Sequence, residues 1–399
     1  MNRDYAQDNP VTLEAKNTKA EKPIRVMQVV GRMMGGGVEA TVMNYYRHID
    51  RSKVQFDFVI QSDSTVVPRE EIESLGGRIF VVPPYSNPLA YMKACRKVFE
   101  ENKPSIVHSH MNAISVFTLR AAKQAGVPIR IAHSHSTANP RELLKTIVKM
   151  LLRPFSKIYP THMAACGEYS ARWLFGDKAM DSGRVKIIRN AIDLNKFIYN
   201  KEKRIEMRRL INVQSDVLII GQVGRLCAQK NQLYSLNVVS ELVKKSVNAV
   251  LIMIGTGDDL QKIEMRAKEL RIDHLVYFLG MQDDVNSWYS AFDVLIFPSL
   301  YEGLPLTAIE AQASGLPIVG SDKITKEAFI IPEICEILSL SKDKEAWCNA
   351  ITNMSPDREK NGLKSKDNIS VLSRLGFNIT NSANELVEYY KGCLYACFQ

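Results

Sequence analysis

A short β-rich run followed by a helical stretch, repeated along nearly the whole chain, constrains this sequence more than any other feature. Residues 24–30 read as a first strand, followed by a glycine-rich turn and a helix from about Val38. Residues 56–60, 78–82, 105–108, 129–133 and 163–166 are further strand candidates, with helical segments between them. Such alternation builds parallel sheets, because a parallel connection needs a crossover long enough to hold a helix. The pattern pauses near 190–197, passes a charged helical stretch at 201–209 and starts again. Residues 218–223, 249–254, 276–279, 294–297 and 317–319 then read as buried strands. The expectation is an α/β protein of two Rossmann-like, doubly wound domains, 24–197 and 198–382, facing each other across a cleft. Residues 1–23 read as a disordered tail. A last helical segment, about 383–399, has no strand after it and is free to pack back on the first domain.

The 399 residues suit two domains of ordinary size. With 46% apolar and 24% charged residues, the composition excludes collagen-like and globally disordered chains. Net charge is +9, and it is unevenly spread. Residues 1–200 carry 29 basic and 18 acidic side chains, and 17 of those bases fall between 91 and 190. A basic half suits an anionic partner such as a phosphorylated substrate or a membrane surface. No zinc-finger or aromatic-basic pattern points to nucleic acid. No apolar run approaches the ~20 residues of a membrane helix, and the N-terminus has no signal-peptide character. The seven cysteines are scattered and lack a CxxC, as expected of reduced thiols.

Five groups of residues could carry chemistry. Glu302-Gly-Leu-Pro-Leu-Thr-Ala-Ile-Glu310 follows a strand and opens a helix, so Leu306 and Thr307 lie where backbone amides have no helical partner. A helix start at a strand's carboxyl end suits phosphate, and Glu302 and Glu310 flank it as hydroxyl acceptors; two solvated glutamates at a helix start fit the same spacing. Gly221–Asn231 places Arg225 and Lys230 after another strand end, where two cations can neutralise a diphosphate. The chain has no Asp-x-Asp, so no metal is expected. Gly31-Arg-Met-Met-Gly-Gly-Gly37 is a phosphate-type turn without the dinucleotide fingerprint. Two His-Ser-His triplets, 108–110 and 133–135, end two strands with both histidines of each on one face; zinc is the challenger there, core histidines the plainer reading, and His110 lies nearest the expected cleft. Finally, Arg141, Lys145, Lys149, Arg153 and Lys157 recur every four residues among leucines, isoleucine and valine. That is a basic amphipathic helix, bent or ended near Pro154, and suited either to a membrane surface or to covering a sheet.

Gly-Gly-Gly-Val-Glu at 35–39, Val-His-Ser-His at 107–110, Ile-Arg-Asn-Ala-Ile-Asp at 188–193, Gly-Arg…Lys-Asn at 224–231 and the Glu-x7-Glu pair at 302 and 310 occur in one order. With them the chain, over about 24–395, resembles the retaining GT-B glycosyltransferases of family four, especially those that build capsule and exopolysaccharide. The resemblance implies that Gly36 and Gly37 approach a donor diphosphate, which Arg225 and Lys230 hold. It implies that His110 contacts the transferred sugar, Glu302 the sugar hydroxyls and Glu310 the ribose, while the backbone near Gly280 and Met281 reads the base. It further implies a UDP-sugar donor, a lipid-linked oligosaccharide acceptor, no metal cofactor, and a cytoplasmic enzyme peripheral on the inner membrane face. One departure is that Ser321–Glu327 replaces a Gly-Gly pair with its nearby glutamate, which leaves Glu327 without a role. A non-catalytic nucleotide-sugar-binding subunit stays open, though the full motif set argues against it, and a sugar-nucleotide epimerase is a further alternative within the fold. A nicotinamide oxidoreductase shares only the α/β pattern.

Overall fold

The computed structural model describes residues 22–135 and 143–397, with the side chains of 143–146 outside that description. The tail predicted over 1–23 therefore falls almost wholly outside it. The first sheet has seven strands: β1 Ile24–Gly31, β2 Val54–Gln61, β3 Ile79–Val82, β4 Ile106–Ser109, β5 Ile129–Ser134, β6 His162–Ala165 and β7 Val185–Ile187. Their order is β3-β2-β1-β4-β5-β6-β7, with every neighbour parallel. The second sheet has six: β8 Leu218–Val223, β9 Ala249–Ile254, β10 Val276–Phe278, β11 Val294–Phe297, β12 Ile318–Ser321 and β13 Cys335–Leu338. Its order is β10-β9-β8-β11-β12-β13, again all parallel. Both are Rossmann-like, doubly wound sheets.

Alternating residues feed opposite layers of core. In the first sheet, Val26, Val30, Ile106 and Ile131 face the helix Gly37–His48 and the C-terminal helix Ile379–Tyr395. Met27, Val29, Val107 and Ala132 face the helices Pro88–Asn102 and Ser115–Gln124. The second sheet divides the same way. Ile219, Ile252 and Leu295 lie on one side, with Ile220, Leu251 and Ile296 on the other. Each such buried valine, isoleucine, leucine or methionine contributes roughly 1.5–3 kcal/mol.

Two strands escaped the sequence reading. β7 and β13 are three and four residues long, and Lys186 and Glu336 interrupt their apolar pattern because they lie at sheet edges. The C-terminal helix begins at Ile379 rather than 383, capped by the Asn378 side chain, which accepts from Thr380 and Asn381 amides at 3.0 and 3.3 Å. Paired backbone bonds between Ile192 and the 377–379 segment bring the chain back to the first domain. There Ala383, Leu386, Val387 and Tyr390 are buried against it.

The basic helix expected over 141–157 is described from 143 onward. Among the described residues it runs Leu143–Leu152 and, as expected near Pro154, it ends there, giving way to a 3-10 turn, Arg153–Lys157, because Pro154 cannot supply a helical amide. Arg141 and the Lys145 side chain lie outside the described residues. Among the described residues, no helix is long and apolar enough to cross a membrane.

In both sheets the strand order reverses at the centre, between β1 and β4 and between β8 and β11. Ligands of such sheets sit beyond the carboxyl ends at that reversal. The strand ends there carry Gly31–Gly37, His110, Gly224–Lys230 and Pro298–Glu302, four of the five sequence features singled out above.

Candidate functional site

On the second domain, two loops are tied together before any side chain enters the cleft. Leu300 N–H donates to Gln229 O at 2.8 Å, and Asn231 Nδ2 donates to Pro298 O at 3.1 Å. Asn231 itself is left-handed (φ 56°), which turns the chain into the helix Gln232–Lys244. This framework presents Lys230 Nζ to Glu302 Oε1 at 2.7 Å, with Gln229 Nε2 donating to Glu302 Oε2 at 3.2 Å. The ammonium also lies over the Phe297 ring, 5.0 Å from its centroid. Glu302 is buried. Lys230 and Glu302 thus form a shielded ion pair at the mouth of β11.

Leu306 and Thr307 are the first residues of the helix Leu306–Ala313, as the motif predicted. Pro305 is the N-cap, in extended conformation. The helix has no side-chain cap, so its first amides are available to an anion. Glu310, a turn further on, accepts from Tyr289 Oη at 2.6 Å. Burial raises the Glu310 carboxyl pKa, and Tyr289 and Lys230 partly oppose the rise. Gly280 is left-handed (φ 65°), and its carbonyl accepts from Gly255 N–H at 2.8 Å, while Met281 is 66% exposed beside it.

The first domain contributes the facing wall. Gly36 is the N-cap of the helix Gly37–His48. A Cβ at Gly36 would lie 2.7 Å from Arg225 Nη2 and 2.9 Å from Glu39 Oε2. A side chain there would have to displace a guanidinium reaching over from the other domain. Glu39 accepts from the Gly36 and Met34 amides. Burial raises its pKa, against those amides and the Arg225 charge. A Cβ at Gly37 meets nothing within 4 Å. Glu39 was legible only as part of a motif; its place at the third position of a helix was the signal that it caps the turn.

His110 follows β4 and is 6% exposed, the most open of the four clustered histidines yet still buried. The two triplets form a two-by-two block. His108 and His110 stack at 4.3 Å, and His133 and His135 at 3.9 Å. Across the strands, His108 Nε2 meets His133 Nδ1 at 3.1 Å, and His110 Nδ1 meets His135 Nε2 at 2.8 Å. His110 Nε2 meets Gln28 Oε1 at 2.7 Å. Both ring nitrogens of His110 are therefore engaged. Burial, with the neighbouring histidines, holds His110 and His133 well below the usual range and pushes His108 down to about 3; burial pushes His135 down to about 4. His108, His110 and His133 each bring a nitrogen to within 4.8 Å of the others, the spacing of a metal cluster. Both nitrogens of His108 and of His110 are already spent on His133, Tyr390, His135 and Gln28, so a cation would have to break these bonds, and of the three only His133 keeps a nitrogen, Nε2, without a partner among the described residues.

Two interdomain contacts were not foreseen. Asn190 Nδ2 donates to Leu304 O at 2.7 Å, tying the hinge to the loop after Glu302. Glu327 accepts from the amides of Glu168 and Tyr169 at 2.9 and 2.7 Å and pairs with Arg189 at 2.9 Å. It caps the helix Glu168–Phe175 of the opposite domain. The basic helix is separate from these loops. Its Ile147, Val148, Met150 and Leu151, with Phe155 and Ile158 in and just after the 3-10 turn, are 46–66% exposed. Arg153 lies against Arg172 O and the Trp173 ring.

The model "Glycosyltransferase Family 4" matches residues 35–196, and "Glycosyl transferases group 1" matches 217–357. EpsF of Bacillus subtilis (strain 168), a protein assigned as a glycosyltransferase, is 36% identical over 375 residues, 92% of this chain and 96% of its own. The UDP-Gal:alpha-D-GlcNAc-diphosphoundecaprenol alpha-1,3-galactosyltransferase of Escherichia coli is 24% identical, covering 78% of this chain and 83% of its own. Among solved structures, Anabaena HepE in complex with UDP and glucose superposes with a TM-score of 0.77 at 15% identity, over 92% of this chain and 100% of its own. Two Rossmann-like sheets meeting at their switch points, matched in sequence over nearly the full length, place this chain in family four of the glycosyltransferases, with the GT-B fold.

Proposed function

We propose that the protein is a retaining, metal-independent glycosyltransferase. It moves a hexose or N-acetylhexosamine from a UDP-sugar to a lipid-linked oligosaccharide during capsule or exopolysaccharide assembly. The observation that carries this reading is the approach of Arg225 in one domain to Gly36 and Glu39 in the other, beside the Lys230–Glu302 pair. A diphosphate entering there meets two cations, a glycine turn and the uncapped helix at Leu306. The galactosyltransferase relative supports a lipid-diphosphate acceptor, and the UDP-bound Anabaena structure supports the nucleotide.

The bond from the anomeric carbon to the diphosphate breaks as the bond to the acceptor oxygen forms on the same face. Arg225, Lys230 and the helix amides stabilise the charge on the leaving phosphate. A phosphate oxygen takes the acceptor proton. Glu302 and Glu310 accept from sugar and ribose hydroxyls, and the backbone around Gly280 and Met281 meets the base. His110 borders the sugar as a neutral ring. The exposed apolar face of the helix Leu143–Leu152, with Lys149, Arg153 and Lys157 near it, rests on the anionic inner leaflet where the acceptor is held.

The test is transfer of labelled sugar from UDP-sugars to a polyprenyl-diphosphate saccharide in chelator, with product stereochemistry read by NMR. An α-linked product from an α-linked donor supports the reading. An inverted linkage, or isomerised donor without acceptor product, refutes it. Sedimentation with phosphatidylglycerol vesicles tests docking, which should weaken steeply as salt rises.

A further inference from the structure

Gln28 sits between His110 of the histidine block and Tyr390, and the orientation of its amide bears on where the protons of the block lie. Its Oε1 meets His110 Nε2 at 2.7 Å, and its Nε2 donates to Tyr390 Oη at 3.1 Å. An amide oxygen only accepts, so His110 carries its proton on Nε2. His110 Nδ1 is then an acceptor and receives Nε2–H of His135 at 2.8 Å. Tyr390 accepts from Gln28, and in this network it donates its proton to His108 Nδ1 at 2.8 Å. His108 therefore donates from Nε2 to His133 Nδ1 at 3.1 Å. With the Gln28 amide oriented this way and Tyr390 donating to His108, all four rings are neutral Nε2–H tautomers, and His133 Nε2 and His135 Nδ1 are left without a hydrogen-bond partner among the described residues. Gln28, Tyr390 and the four histidines are buried, so water does not compete for these bonds.

Tyr390 belongs to the C-terminal helix, which follows the donor-side domain yet packs under β1 and β4 of the other. We propose that Gln28 and Tyr390 are positioning residues for sugar transfer. Through them the C-terminal helix locks the histidine block in one tautomer and holds His110 as a fixed, neutral ring. Neutrality matters because positive charge develops at the anomeric carbon, and a histidinium beside it would oppose that charge. This rests on the reading that His110 borders the transferred sugar.

The test combines Tyr390→Phe and Gln28→Met with nitrogen-15 NMR of histidine-labelled wild-type protein. At pH 7 the wild type should show these four rings as neutral Nε2–H tautomers, and Tyr390→Phe should give His108 a mixed tautomer. Tyr390→Phe should lower kcat on the order of 10–100-fold while donor KM stays within about threefold, the pattern of a misplaced group rather than lost binding. Wild-type kcat in either folded variant would overturn the proposal. So would an Nδ1–H or charged His108 or His110 in the wild type, a measurement that needs no variant to fold. A wild type that transfers no sugar would overturn the transferase reading and the role in transfer together, whereas the NMR spectrum decides the tautomer independently.

Discussion

Lys230 and Glu302 neutralise each other across 2.7 Å with side chains only 16% and 9% exposed. Removing either leaves the other charge shielded and without its partner, which costs more than the pair itself is worth. Lys230→Ala should therefore destabilise the domain by about 1–3 kcal/mol and also weaken diphosphate binding. Glu302→Gln should keep nucleotide affinity, because Lys230 becomes free to meet the phosphates, while turnover falls. Calorimetric titration with UDP alongside a turnover assay separates the two. Equal loss of UDP affinity in both variants would contradict the assigned division of labour. The identities of these residues were legible because motif spacing follows strand ends. Their mutual pairing was not, since it depends on how the 229–231 and 298–302 loops are bonded to each other.

At the level of elements, the alternating pattern predicted both sheets, and edge strands such as β7 were lost only because too few residues carry their pattern. What the sequence could not offer were partners distant in the chain. Gln28 and Tyr390 are separated by 362 positions, and neither is unusual by itself. Glu327 is a similar case. It has no local motif, yet it caps the helix Glu168–Phe175 and pairs with Arg189 near the hinge. Glu327→Ala should cost about 1–2 kcal/mol as the loss of a charged cap and loosen the domains. Denaturant melts together with small-angle scattering test this. An unchanged melt and radius of gyration would show that the contact does not hold the domains.

For the whole molecule, the histidine block ties stability to pH. A histidine held neutral by burial binds fewer protons folded than unfolded once pH drops below about 6.5. Its stabilisation is complete above that value and is lost as pH falls toward the folded values, about 4 for His135 and about 3 for His108. Between pH 6.5 and 5 each such ring should remove about 1–2 kcal/mol. Glu39 and Glu310, raised by burial, act in the opposite sense, but two groups face four. Urea melts at pH 7 and pH 5 should differ by several kcal/mol, and equal stability would mean the rings are not held neutral. The central claim concerns the cleft where the two sheets meet, and one measurement addresses it most directly: calorimetric binding of UDP, in chelator, to wild type and to Arg225→Ala/Lys230→Ala. The account predicts binding by the wild type and its loss in the double variant. Undiminished UDP affinity in that variant, or no binding of any nucleoside diphosphate by the wild type, would contradict it.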